Sequence, residues 1–179
     1  MKRSFLEPER ELAANFLSYL RALSWLYQVS HWQCKGPFFY QDHLLFQRLY
    51  ESVEKEIDGV AEKMVLSYGE MTVEAPDTVK RMSKILQDIW ECPDPIQRGI
   101  LGEALLRGLL DEILEDENLP TGWRVLIEDI YNKHEENQYL LKQRSQPPSV
   151  LERNWFGNWS TVPPEMPLEQ EWFDEGRKQ

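Results

Sequence analysis

"HWQCKGPFFYQDHLLFQRLYESVEKEIDGVAEK", residues 31–63, opens on a histidine, breaks at Gly36-Pro37, passes a second histidine at position 43 and then runs on at helical spacing. A Gly-Pro pair ends one helix, and the next begins within a few residues, so two long helices meet here at a tight corner. Upstream, a helix starting near Glu7-Pro8, where proline suits the first turn, carries Leu12, Phe16, Leu20, Leu23 and Leu26 every three or four residues. Downstream, a helix from about 42 to 68 repeats Leu45, Leu49, Val53, Val60 and Met64 on the same period and stops at Gly69. His31 falls in the last turn of the first helix and His43 in the first turn of the second, so the linker folds them toward one another.

Beyond Gly69, "EMTVEAP" reads as a loop, and "DTVKRMSKILQDIW" as a short helix over roughly 77–90 with Asp77 as its cap. "ECPDP" breaks the chain, "IQRGILGEALLRGLLDEIL" forms a third long helix despite its glycines, and "EDENLPTG" turns it. A fourth helix covers about 123–144, with Val125, Ile130, Tyr139 and Leu140 among its inward candidates. No segment carries a strand pattern. Two long helices, a helical crossover and two more long helices make an all-α fold: a four-helix bundle with a long second-to-third connection, the ferritin-like arrangement. The bundle is expected over 1–145. Residues 146–179, containing "PPSVLERNWFGNWSTVPPEMPLEQEWFDEGRKQ", read as a Pro- and Trp-rich C-terminal extension. Its Trp155, Phe156, Trp159, Trp172 and Phe173 imply that it packs against its own subunit, a neighbour or a partner.

A chain of 179 residues suits one well-buried domain. Its 31 acidic against 20 basic residues give a net charge of −11, which opposes binding to a polyanion, and the basic residues are scattered. DNA binding is therefore expected to be weak or absent. Cys34 and Cys92 belong to no Cys-x-x-Cys pair, which fits a reducing cytoplasm. Charges run through the place where a signal peptide needs its apolar core, and no segment approaches the roughly 18 apolar residues of a membrane span.

An iron site inside a single bundle needs Glu-x-x-His pairs. Three residues before His31, His43 and His134 stand Gln28, Tyr40 and Tyr131, so that site is ruled out in its usual form. On the second helix Glu51, Glu54, Asp58 and Glu62 form one acidic stripe. Asp58 and Glu62, one turn apart, suit a hard or borderline cation such as Fe(II), for which oxygen and imidazole donors are appropriate. Asp58, however, lies 15 residues past His43, about 22 Å along the axis. One chain cannot close such a site, whereas a second copy about a two-fold axis brings its carboxylates to the first copy's histidines and makes two sites per dimer. Taken singly, the acids suit a solvated helix face and the histidines a buried or capping role. Cys34 reads as a small packed side chain, and His134 as a packing or hydrogen-bonding one.

His31-Trp32, Lys35-Gly36, the second histidine twelve residues after the first, and Asp58-x-x-Ala61-Glu62 together resemble the signature of the Dps proteins, the miniferritins named for DNA protection during starvation. Phe39, Phe46, Tyr50 and Lys133-His134 extend the resemblance over roughly 5–145. It implies an iron centre at a dimer two-fold, with His31 and His43 from one subunit, Asp58 and Glu62 from its mate, and Trp32 as an oxidisable aromatic beside it. The family commonly has an aspartate where this chain has Gln47, a weaker neutral ligand. The centre is thus expected to hold two irons, or one tight iron bridged by Glu62 and one weak. The implied activity is that of a ferroxidase, oxidising Fe(II) with hydrogen peroxide and storing ferric mineral in a hollow dodecamer built from two-fold dimers, which protects against oxidative damage. Glu51 and Glu54 are candidates for guiding iron, and "EDEN" at 115–118 for lining an inlet. The alternative is a structural or interaction particle of the same fold, feeble in iron oxidation because of Gln47 and acting through its extension.

Overall fold

In the computed structural model, residues 6–146 are described, and among them there are five α-helices, one 3₁₀ turn and no strand. The helices are α1 (Leu6–Gln33), α2 (Phe39–Tyr68), α3 (Ala75–Trp90), α4 (Pro95–Leu114) and α5 (Thr121–Ser145), with the 3₁₀ turn at Glu70–Val73. The short linkers pair α1 with α2 and α4 with α5; α1 also meets α4, α2 meets α5, and α3 crosses over against α1. This is the ferritin-like bundle. Phe16, Leu20, Leu23 and Leu26 of α1 meet Leu49, Val53, Val60 and Met64 of α2, and Leu106, Leu110, Ile127 and Ile130 of α4 and α5 complete a continuous buried core. Each such side chain contributes about 1.5–3 kcal/mol relative to exposure, so the matched stripes fix which helix faces meet.

The corner is tighter than the sequence suggests. α1 ends at Gln33, α2 begins at Phe39, and Gly36 between them takes φ +83°, a left-handed conformation that suits glycine. The Phe39 amide donates to Gly36 O at 3.0 Å, closing the turn. Arg144 at the end of α5 pairs with Asp42 through two bonds of 2.5 and 3.0 Å and lies 4.2 Å from the Phe38 ring centroid, tying the corner to the far hairpin.

Three further expectations need correction. "EMTV" is a 3₁₀ turn rather than open loop, held by the Thr72 hydroxyl donating to Gly69 O at 2.7 Å. Asp77 does not cap α3: the helix starts at Ala75, and Asp77 sits inside its first turn, where its charge meets the positive end of the helix dipole. On α5 Val125 and Tyr139 point outward, because its buried face runs through Trp123, Ile127, Ile130, His134, Asn137, Gln138 and Leu141. The polar members of that face disguise its period. The extension from residue 147 onward lies outside the described residues, and among the described residues no helix is long and apolar enough to cross a membrane.

Candidate metal centre

The corner places His31 and His43 in contact. Their rings stack with centroids 3.6 Å apart and planes inclined by 22°. His31 Nδ1 donates to the His43 carbonyl at 2.8 Å, and His43 Nδ1 returns the bond to the His31 carbonyl at 3.1 Å. A carbonyl oxygen only accepts, so each Nδ1 carries its hydrogen, and in the neutral ring Nε2 then holds the lone pair. Metal-binding histidines are commonly fixed in this way, with the remote nitrogen donating to a backbone carbonyl. Phe39 stacks on His43 at 5.1 Å and Tyr50 meets His31 edge-on at 5.6 Å, so both half-buried rings are braced by aromatic neighbours.

Gln47 lies one turn beyond His43, and its amide nitrogen donates to Glu51 Oε1 at 2.9 Å. Asp58 and Glu62 are exposed farther along α2, as are Glu51 and Glu54. Glu54 is steadied by the Ser24 hydroxyl at 2.8 Å. At 1.5 Å rise per residue Asp58 stands about 22 Å from His43, so the histidines and the carboxylates do not meet within the chain. Among the described residues, no three His, Cys, Asp or Glu side chains converge to hold a metal ion. The paired histidines sit at the α1–α2 corner, and the carboxylates lie farther along α2. Between them a groove of about 690 Å³ runs over α1 and α2, lined by Arg21, Gln28, Tyr50, Glu51, Glu54 and Asp58, among others. Trp32 is 60% exposed and packs edge-to-face on Trp25, itself 43% exposed, with centroids 5.7 Å apart.

Cys34 offers no thiolate: its Sγ donates to Ser30 O at 3.2 Å, and burial, aided by the charge of Asp42 against that of Arg144, pushes the thiol up to about 11. His134 is far from idle. It is buried on α5 between Glu56 of α2 and Glu103 of α4. Sequence reasoning passed over both glutamates and Tyr27. The available signal was a polar residue at an inward position of an apolar stripe: Glu56 between Val53 and Val60, Glu103 between Gly99 and Leu106.

No family model matches the sequence, and no curated protein matches it. Solved structures do. The chain is similar to a Dps protein from Vibrio cholerae O1, described as a member of a broad superfamily of ferritin-like diiron-carboxylate proteins, with 20% identity, a TM-score of 0.66, and coverage of 76% of this chain and 88% of that one. It is also similar to Dps from Thermosynechococcus elongatus, with 17% identity, a TM-score of 0.56, and coverage of 83% of this chain and 99% of that one. The sequence motif and both structural likenesses therefore meet on one fold: this chain has the ferritin-like helical fold of the Dps proteins.

Proposed function

We propose that the chain is a miniferritin that binds Fe(II) as substrate and oxidises it with hydrogen peroxide at a site shared between two copies, storing the ferric product inside a hollow oligomer. The observation that carries this reading is the reciprocal bonding of His31 and His43, which orients two imidazoles with both Nε2 lone pairs available and no acid among the described residues converging on them. Asp58 and Glu62 of a second copy supply the charge that two neutral imidazoles lack, and nitrogen plus carboxylate donors suit Fe(II). Two Fe(II) ions each give one electron to a peroxide molecule, which takes up two protons and leaves as two waters. The protein's part is to hold the ions together and to keep the O–O cleavage from releasing a free radical. Trp32, exposed and next to His31 in the chain, is an oxidisable side chain near the proposed site.

The division of the site between copies makes it testable by mixing. His31→Ala/His43→Ala and Asp58→Ala/Glu62→Ala are each expected to lose peroxide-dependent Fe(II) oxidation. Co-assembled, they regain about a quarter of the wild-type sites, because half of randomly formed dimers are mixed and each mixed dimer has one intact site. No recovery from well-folded mixed dimers rejects the shared site. Gln47 favours a second reading, a particle of the same fold with weak oxidation, since its amide replaces an acid beside the histidines and is already bonded to Glu51. Wild-type rates no faster than those of both double variants select that reading.

A further inference from the structure

The centre of the bundle holds a second polar cluster, and each of its four long helices contributes one member. Tyr27 of α1, Glu56 of α2, Glu103 of α4 and His134 of α5 are all buried. His134 Nδ1 lies 2.6 Å from Glu103 Oε2, and Nε2 lies 2.8 Å from Glu56 Oε2. The Tyr27 hydroxyl donates to the other oxygen of Glu103. In carboxylate proteins of this fold, facing helices aim Glu and Glu-x-x-His donors inward around two metal ions. The donors here do not fit that arrangement. Tyr131 stands where the paired glutamate would be, both ring nitrogens of the one histidine are taken by carboxylates, and among the described residues no group of three donors converges on a common point.

We infer that the core of this bundle is closed by a proton in place of a metal: a doubly protonated His134 imidazolium bridges Glu56 and Glu103, joining α2, α4 and α5, and the interior takes up no iron. An ionised carboxylate only accepts hydrogen bonds, so two carboxylates flanking one imidazole require hydrogens on both nitrogens. Glu103 accepts twice, from Tyr27 and from His134, as an ionised group does. Two buried carboxylates facing one another are costly unless a cation lies between them, and the imidazolium is that cation. Burial alone would lower the proton affinity of the ring, yet the charge and hydrogen bond of Glu103, followed by those of Glu56, raise it from 6.5 to about 9. Among the described residues, the other titratable groups facing the cluster are tyrosines of α1: Tyr27, and Tyr19, whose hydroxyl reaches Gly102 O at 3.4 Å. Burial and the charge of Glu103 raise both above the ordinary tyrosine value, so they remain neutral donors. The cluster retains one excess negative charge, and Glu56 Oε1 has no partner among the described residues.

The chain has only three histidines, so the ¹⁵N spectrum of the histidine-labelled full-length protein separates the two centres. At neutral pH His134 should show two protonated ring nitrogens, and Zn(II) should leave its signals unmoved. A bare ring nitrogen on His134, or a Zn(II)-induced shift of its signals, overturns the inference. The Zn(II) response of His31 and His43 reports separately on the proposed iron site. Stability supplies the second test. His134→Gln should lower the thermal midpoint by on the order of 10 °C, and adding Glu56→Gln should restore part of the loss by removing the repulsion. A side chain that merely fills space predicts the opposite, a further fall in the double variant.

Discussion

At position 47 an amide stands one turn beyond His43, its nitrogen donating to Glu51, and what it can offer a cation is a neutral oxygen in place of a carboxylate. Gln47→Asp is expected to raise the number of tightly bound ions from about one to about two per proposed site, read by calorimetric titration with Zn(II). An unchanged stoichiometry removes position 47 from the site. The proton on His134 sets a second residue-scale expectation. The folded value, about 9, lies above the free value of 6.5, so its stabilisation is fully present below pH 6.5 and is lost as pH rises through 9. The unfolding free energy from denaturant titration should fall across that window by on the order of 3 kcal/mol, and His134→Gln should flatten the slope. The two centres were unequally legible. His31 and His43 could be paired from spacing alone, because a Gly-Pro break between two helices leaves little choice of geometry. Glu56 and Glu103 were hidden because an acid within an apolar stripe looks like a surface residue until its partner, a helix away, is known.

Among the elements, α4 shows why a helix with three glycines is a sound member of the bundle. A Cβ at Gly102 would lie 2.6 Å from Leu23 Cδ2, and Leu23 is fully buried on α1, so glycine is what allows α4 to approach so closely. Gly102→Ala gains about 1 kcal/mol of helix propensity and meets an overpacking cost of about 1–3 kcal/mol, for an expected net loss of about 1 kcal/mol. Gly108, where a Cβ would meet nothing within 4 Å, is the control: its alanine variant should gain up to about 1 kcal/mol by chemical denaturation. Equal effects at the two sites would refute the close-approach account. The order and length of the helices were readable because α1 and α2 repeat apolar residues without interruption. The face of α5 was not, since His134, Asn137 and Gln138 occupy inward positions and answer to groups on other helices.

For the molecule as a whole, the outer surface of α1 and α2 carries Trp25, Trp32 and Phe39 beside the paired histidines, all exposed in the single chain. In the proposed dimer a second copy laid across that surface would bury these rings and complete the site. Trp25→Glu should therefore shift sedimentation toward smaller species and lower Fe(II) oxidation while leaving helical circular dichroism intact; unchanged assembly would place the interface elsewhere. Such a surface is legible from one chain only as a face awaiting a mate, because the contacts that define it belong to two. The histidine corner, by contrast, is finished before any mate arrives: its cross-bonds span twelve residues and are satisfied by backbone oxygens alone. Zinc fingers collapse when stripped by chelators because the ion is what folds them. Here chelation should leave the helices standing, so a cation that reaches the proposed site has no refolding to wait for.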